Sequence, residues 1–197
     1  EIAQCLVGSE MCIRDRSASV DGSGAAVDGS TVTISSEGTY IISGELSSGQ
    51  IVVDASDDAK VQLVLAGATI HNENGPAIYA KNVDKCFVTL ADGTQNSFSG
   101  GTDYTLEDDS DEPYATLFCR CDLTINGTGA LNVTANYCHG ICSKDDLVVT
   151  GGTLNVTAVE DCLRGRDCVK IADGSFSLVS GGDGIKSNKD TLSLIHI

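Results

Sequence analysis

The sequence predicts an all-β protein folded as a parallel β-helix, in which short strands wind into stacked coils. The first reason is a repeat of about 22–24 residues, which aligns segments 116–135, 140–158 and 162–180 and puts these apolar residues in one column: Leu117, Ile141, Leu163 and Ile185. The second is alternation of apolar and polar residues within each segment, which is typical of strands. The third is the set of turn pairs between these runs, Asn126-Gly127, Gly151-Gly152 and Asp173-Gly174.

The earlier part of the chain shows the same alternation less regularly, at Val32/Ile34, Tyr40/Ile42, Ile51/Val53 and Leu63/Leu65, and 75–100 fits the repeat with a small insertion. Segment Thr102–Pro113 breaks the period with the sequence TDYTLEDDSDEP. We expect a mobile, solvated insertion there, with a calcium loop as the alternative, although its spacing does not match an EF-hand. An antiparallel β-sandwich also uses many short strands, but in-register identity at a fixed period favours the solenoid.

The two ends read as foreign to the repeat. Back-translation of Met11–Arg16 and Leu192–Ile197 yields opposite strands of one short transposase end used in DNA library preparation, and Cys5–Glu10 fits the adjoining adapter. We therefore expect residues 1–16 and 192–197 to be adapter-derived tails. Residues 17–191 are then the natural β-helix domain, interpreted as a fragment.

Composition excludes several function classes. The chain has 197 residues, 28 Asp+Glu against 12 Lys+Arg, and a net charge of −16, so it lacks the basic surface that a nucleic-acid binder needs. No apolar run is long enough to span a bilayer. The seven cysteines of residues 17–191 fit no closed disulfide framework, and we expect them to fill columns, with zinc at Cys119-x-Cys121 as the alternative.

Stacking the coils converts the repeat into outward-facing columns. One column, called the basic column, contains Lys81, Arg120, Lys144, Arg166 and Asn188, and a second, called the mixed column, contains Tyr79, Phe118, Cys142, Arg164 and Lys186. Like charges stacked in neighbouring strands are destabilising, so such a face needs acids beside it or a polyanionic ligand. The predicted ligand-binding residues are Lys81, Phe118, Arg120, Lys144, Arg164, Arg166 and Lys186.

Aspartates flank these columns. Asp145 and Asp167 directly follow the basic column, Asp122, Asp146 and Asp190 form the next column, and Asp161 and Asp183 precede the strand in a column shared with His139. Two carboxylates one coil apart repel by about 1 kcal/mol in water. Bound Ca²⁺ would reverse that repulsion, because it takes oxygen ligands. These seven aspartates are therefore the predicted calcium ligands, and a surface ladder of ion pairs is the alternative. His71 and His139 are interpreted as surface histidines.

Several motifs together resemble a family of secreted bacterial carbohydrate-binding β-helix proteins typical of clostridia, over about residues 20–190. They include GPAIYAKNVDK (75–85), SKDDL (143–147), RGRD (164–167) and GGDGIKS (181–187). The resemblance implies a right-handed parallel β-helix similar to calcium-dependent pectate lyases, and binding of calcium and of acidic, polygalacturonate-like plant polysaccharide. The chain departs from the family pattern at three coils, with His139-Gly140-Ile141, Asp161-Cys162-Leu163 and Cys119-Arg120-Cys121.

Three functions follow as expectations. The first is a secreted, monomeric, non-catalytic binder of acidic polysaccharide at the bacterial surface, assisted by calcium. The second is a polysaccharide lyase, in which a Lys or Arg removes the proton α to a uronate carboxylate. Its candidate bases are Lys144, Arg164, Arg166 and Lys186, none of which the sequence singles out. The third is a structural stalk or adhesin, because solenoids make good spacers.

Overall fold

The structure is a computed structural model that describes the backbone of residues 8–15, 17–189 and 192–194 and the side chains of residues 19–189. The described backbone forms strands and no helix, so no helix there is long and apolar enough to cross a membrane. The strands are β1 (Gly8–Asp15), β2 (Ser17–Asp21), β3 (Ala25–Asp28), β4 (Thr31–Ile34), β5 (Gly38–Leu46), β6 (Gln50–Asp54), β7 (Lys60–Asn72), β8 (Ile78–Asn82), β9 (Lys85–Leu90), β10 (Gln95–Gly100), β11 (Ala115–Cys119), β12 (Asp122–Gly127), β13 (Ala130–Ala135), β14 (His139–Ser143), β15 (Asp146–Ala158), β16 (Leu163–Gly165), β17 (Cys168–Ser180), β18 (Ile185–Ser187) and β19 (Leu192–Leu194).

The strands stack as a parallel β-solenoid of about six turns. One sheet, called the short-strand sheet, has the order β18-β16-β14-β11-β8-β6-β4-β3, and its pairings from β4 to β18 are parallel. In the other, called the long-strand sheet, 60–65 of β7 pair with β9 and 69–72 pair with β10. Each complete coil therefore has three faces. Among the described strands, the antiparallel pairs are β1–β2 and β3–β4.

The registers confirm the predicted fold class and exclude the β-sandwich. Leu117 pairs with Ile141, Ile141 with Leu163, and Leu163 with Ile185, as the repeat predicts. In the long-strand sheet Leu123 pairs with Leu147 and Leu147 with Val169. The strands β1 and β19 lie beside β5 and β17, and the adapter origin of the two tails stays a prediction.

The inner residues of successive coils form one continuous apolar core. Leu117, Ile141, Leu163, Leu147 and Val169 are each at most 1% exposed. Because burial of an aliphatic side chain contributes about 1.5–3 kcal/mol, each added coil extends the core and stabilises its neighbour.

Gly140 occupies a position of the short-strand sheet where neighbouring atoms leave no room for a side chain. A Cβ on Gly140 would lie 2.4 Å from Val156 Cγ1 and 2.7 Å from the carbonyl oxygen of Cys162. One coil further, Cys162 occupies this column, and Gly184 follows it. At Gly184 the nearest atom to an added Cβ, Leu178 Cδ1, is 3.6 Å away. A Cβ would therefore clash at Gly140 but would fit at Gly184, although the two residues stand in the same column.

The insertion between β10 and β11 lies against the outer surface of the short-strand sheet. We call residues 102–114 the strap. Its Glu112 is buried and Glu107 is half-buried, whereas Asp103, Asp108, Asp109 and Asp111 are exposed. The prediction of a solvated insertion holds for these four aspartates but is wrong for Glu107 and Glu112, which contact the cations of this face, and the mobility of the segment stays a prediction.

Candidate functional site

The basic column forms as predicted. The backbone N–H of Arg120 donates to Ala80 at 2.9 Å, that of Lys144 to Cys119 at 2.8 Å, and that of Arg166 to Ser143 at 3.0 Å. Each residue therefore leaves its strand directly above the equivalent residue of the preceding coil. This places cationic side chains on one outer edge of the short-strand sheet, while their role in ligand binding stays a prediction.

The strap neutralises the first half of this column. Glu107 lies 3.1 Å from Lys81 Nζ and 2.6 Å from Arg120 Nη2, and it accepts a hydrogen bond from the Tyr79 hydroxyl at 3.0 Å. Glu112 accepts from Arg120 Nε at 2.7 Å and from Lys144. The compensating acids therefore come from a distant insertion and not only from the aspartates beside the column.

These contacts shift the titration of the strap carboxyls. The hydrogen bond from Arg120 lowers the pKa of Glu107 to about 2, against the opposing effect of burial and with help from Lys81 and Tyr79. Burial alone would raise the pKa of Glu112, but hydrogen bonds from Lys144 and Arg120 outweigh it, and the pKa is lowered. Both strap glutamates therefore stay ionised to a lower pH than a free glutamate would.

Beneath the strap lies a second apolar cluster outside the solenoid core. Phe118 of the mixed column faces outward, yet it is 0% exposed, because Tyr114 packs on it edge to face with the ring centroids 4.7 Å apart. Tyr79, Ala115 and Cys142 complete the cluster, and all three are buried. The prediction that Phe118 lies on an accessible ligand-binding face is wrong for this state of the protein, because the strap covers it.

The remaining cations lie beyond the strap. Arg164 Nη1 contacts His139 Nε2 and lies 3.7 Å from Asp161. Lys186 lies 3.5 Å from Asp161 and 3.1 Å from Asp183. Arg166, with 55% of its side chain exposed, is 3.8 Å from Asp167. Arg166 is therefore the most available cation of the predicted binding set.

The predicted calcium ligands fall into two groups. Asp161 and Asp183 meet before the strand, where the backbone N–H of Asp183 donates to Asp161 Oδ1 at 2.9 Å. At the opposite corner, lysines lie beside three of the aspartates, with Lys85 3.7 Å from Asp122, Lys170 2.8 Å from Asp146 and Lys189 2.9 Å from Asp167. Asp190 lies outside the described residues.

Asp145 differs from its neighbours at that corner. Its pKa is raised by partial burial and by the nearby carboxylates of Asp122 and Asp167, which outweigh the attraction of Arg166. Within residues 19–189 no cation lies within ion-pair distance of Asp145. Its ionised form is therefore only partly compensated by Arg166, and a bound cation would offset the remaining repulsion.

A different group converges more closely. Among residues 19–189, the metal-ligating atoms of Cys138, His139 and Glu160 lie within 4.8 Å of one another. The interpretation of His139 as a surface residue is wrong, since it is 2% exposed. Its Nδ1 accepts the backbone N–H of Asp161 at 3.1 Å, and its Nε2 contacts Arg164. Both ring nitrogens are thus already engaged, and the pKa of His139 is lowered by burial and by Arg164.

This group opens into a cavity of about 300 Å³ where the strap meets the coil turns. Its lining combines two tyrosines with carboxylates and a guanidinium, from Asp111, Tyr114, Tyr137, Cys138, His139, Glu160 and Arg164. The Tyr137 ring stacks on Tyr104 of the strap with the centroids 4.7 Å apart. A shallow site of this size, with aromatic faces and a few polar groups, suits a small polar ligand. Sequence reasoning missed it because the strap breaks the repeat, so the repeat does not predict which residues the strap contacts.

The cysteines of the described region are free thiols, and most of them are buried. The seven thiols at positions 86, 119, 121, 138, 142, 162 and 168 are free, and Cys138 alone among them is partly exposed. Cys119 and Cys121 are buried with their sulfur atoms 3.0 Å apart. Their placement agrees with the prediction of buried column fillers.

Three comparisons with known proteins bear on this arrangement. Residues 28–195 match the family profile described as carbohydrate-binding domain-containing protein. A carbohydrate-binding domain-containing protein of Acetivibrio thermocellus is 39% identical over 136 residues, which cover 68% of this chain and 48% of that relative. The chain thus matches about half of the relative's length.

The fold has a close counterpart among solved structures. The gadolinium derivative of the polysaccharide lyase-like protein from C. thermocellum superposes with a TM-score of 0.92 at 33% identity, over 95% of this chain and 79% of the other. The profile match spans most of the repeat, and the same coils carry the basic column and the strap. By sequence and by fold, this chain belongs to the family of carbohydrate-binding domain-containing proteins.

Proposed function

We propose that this chain binds an acidic plant cell-wall polysaccharide, of the polygalacturonate or pectin type, along the outer edge of the short-strand sheet. The observation that carries the proposal is that the basic column already holds carboxylates, those of Glu107 and Glu112. Beyond the strap, Arg164, Arg166 and Lys186 continue the same arrangement at coil spacing. Because a polyuronate carries a carboxylate on each sugar, it matches a row of cations with a regular repeat.

Calcium is part of this proposal. The protein carries a net charge of −16, and a polyanion is repelled by such a surface unless bound cations bridge the two. Asp145, with Asp122 and Asp167, would hold Ca²⁺ at the corner beside Arg166, and Asp161 with Asp183 offer a second set of oxygen ligands. The raised pKa of Asp145 supports the first set, since a divalent cation would offset the repulsion among these carboxylates.

The proposed setting is extracellular or at the bacterial cell surface, where plant polysaccharide is accessible, and the proposed state is a monomer. A second candidate, polysaccharide lyase, is favoured by the likeness to a polysaccharide lyase-like protein. Elimination needs a base that is unprotonated at the working pH and can accept the α-proton of the uronate. Lys186 does not meet this requirement, because Asp183 and Asp161 raise its pKa and so favour its protonated form. Binding therefore ranks above catalysis.

Affinity gel electrophoresis tests the proposal. We expect retardation of the wild-type protein in a gel containing polygalacturonate and calcium, with much less retardation when a chelator replaces calcium. Arg166→Ala should weaken the retardation. Lys60→Ala removes the same charge from an exposed position on the long-strand sheet and should not weaken it. Equal mobility of all proteins in polygalacturonate and in a polymer-free gel would reject acidic polysaccharide as the ligand.

The lyase alternative is tested on the same samples. Each elimination leaves an unsaturated uronate at the new chain end, which absorbs in the ultraviolet. We expect no increase in absorbance on polygalacturonate, with calcium and at alkaline pH. A steady increase that Lys186→Ala abolishes would make the protein a lyase.

A further inference from the structure

The proposed binding edge continues underneath the strap. Lys81, Arg120 and Lys144 stand in the same column as Arg166, and each of the three contacts a strap carboxylate. Glu107 and Glu112 therefore sit where uronate carboxylates would sit if the ligand continued along the column. The strap has six acidic residues and no basic one, so it is itself a short polyanion.

The strap is attached to the sheet mainly through side chains. Its backbone hydrogen bonds to the rest of the protein lie near its ends, from Thr105 N–H to the carbonyl of Asn74 and from His139 N–H to the carbonyl of Tyr114. Between these points the backbone bonds are internal, from Glu107 N–H to Glu112 and from Ser110 N–H to Glu107. The middle of the strap can therefore leave the sheet without breaking a strand pairing.

Exchange with a polyuronate would conserve the ion pairs. Each cation that loses a strap carboxylate would gain a ligand carboxylate, so the charge-assisted hydrogen bonds are replaced and not lost. Removal of the strap would also uncover the rings of Tyr79 and Phe118, which offer apolar faces next to the cations. The opposing contribution is the packing of Tyr114 on Phe118, which favours the closed arrangement.

We infer that the strap is a displaceable internal ligand, which covers a second polyuronate-binding segment formed by Lys81, Arg120 and Lys144. This inference rests on the proposed function, and it adds that the protein holds half of its binding edge closed until a polyuronate displaces Glu107 and Glu112. A neutral polysaccharide has no carboxylates to exchange and leaves the strap in place.

Cys142 reports on the strap directly. Its thiol is 1% exposed beneath the strap, whereas Cys86 is equally buried but lies in the solenoid core. The experiment measures the rate at which a thiol reagent labels each cysteine, assigned by peptide mass spectrometry, during titration with oligogalacturonate and calcium. A neutral oligosaccharide serves as the control ligand. We expect oligogalacturonate to accelerate labelling of Cys142 and to leave labelling of Cys86 unchanged.

A pair of double variants gives the second readout. Glu107→Gln with Glu112→Gln releases the cations, and we expect about tenfold tighter binding of oligogalacturonate and about tenfold faster labelling of Cys142. Asp108→Asn with Asp109→Asn makes the same charge change at exposed strap positions and should change both by less than about threefold.

The outcomes separate the two proposals. Wild-type binding with no acceleration at Cys142, together with unchanged affinity of the Glu107→Gln/Glu112→Gln protein, overturns the strap inference and leaves the proposed function standing. Binding by that variant but not by the wild type would mean that polyuronate does not displace the strap, which overturns the strap inference, and it would also reject binding at the open end of the column. Absence of binding by both proteins overturns both proposals.

Discussion

Arg120 Nε lies 2.7 Å from Glu112 Oε2, and this ion pair joins a residue at the end of a sheet strand to a residue of the strap. Arg120 also lies 2.6 Å from Glu107, so one guanidinium holds both strap carboxylates. The strap is therefore bound by the cations that the repeat stacks on the outer face. The charge balance of this face depends on contacts between segments that lie outside the repeat and residues inside it.

The first prediction concerns the apolar cluster under the strap. Phe118→Ala should lower the free energy of unfolding by about 3 kcal/mol, because the ring is fully buried and its removal leaves a cavity. Phe87→Ala is the control, since Phe87 is half-buried on the outer side of β9, and it should cost less than about 1 kcal/mol. Urea unfolding of both variants measures the difference. Equal costs would mean that the strap does not pack on Phe118 in solution.

The second prediction concerns the column that contains Gly140, Cys162 and Gly184. Gly140→Ala should destabilise the protein by about 2 kcal/mol or more, because the added methyl group meets Val156 and the Cys162 carbonyl at less than contact distance. Gly184→Ala makes the same chemical change in the same column where there is room, and it should cost less than about 1 kcal/mol. Thermal unfolding of the two variants compares them directly. A Gly140→Ala variant that unfolds at the wild-type temperature would contradict the close approach of the coils.

The third prediction is a dependence on pH. The pKa of Glu107 is lowered to about 2 in the folded protein, so its contacts stabilise the fold above the unfolded pKa near 4.5. That contribution is lost as the pH falls from about 4.5 towards 2. After allowance for solvent screening we expect a loss of about 1 kcal/mol.

The measurement for this third prediction compares Glu107→Gln with the wild type. The variant should be less stable at pH 7, and the difference should shrink as the pH approaches 2. Asp108→Asn controls for a charge change on the strap without contact with Arg120. A constant difference between wild type and Glu107→Gln across this range would show that the ion pair does not form.

The fourth prediction concerns Asp145 and calcium. A raised pKa means that the folded protein holds the carboxyl proton more tightly than the unfolded chain does, so ionised Asp145 destabilises the fold as the pH rises through the folded pKa. Without calcium, Asp145→Asn should therefore stabilise the protein at pH 7 by about 0.5 kcal/mol. It should also reduce a calcium-induced rise in Tm, because Asp145 belongs to one of the two proposed sets of calcium ligands.

Asp146→Asn is the matched control for Asp145. It removes the carboxylate that lies 2.8 Å from Lys170, so it should lower the stability slightly in the absence of calcium. Calorimetry with and without calcium tests both variants. An equal calcium-induced rise in Tm for wild type and Asp145→Asn would place the ion elsewhere, and no rise in the wild type would remove calcium from the proposed function.

The sequence by itself determined the solenoid and the vertical order of its side chains. In a parallel β-helix, residues one period apart become neighbours, so the stack of Leu117, Ile141, Leu163 and Ile185 follows from spacing alone. The same periodicity predicts that Arg120, Lys144 and Arg166 stack, because these positions depend only on backbone pairing.

Only the tertiary structure decided which of those side chains a ligand could reach. Periodicity carries no information about a segment that breaks it, so the docking of residues 102–114 over Phe118 could not be read from the repeat. The burial of His139 and the cavity beside Tyr137 have the same cause, since both form where the strap end meets the coil turns. Local spacing sets the register of a solenoid, whereas exposure and pKa values depend on every segment that packs against it.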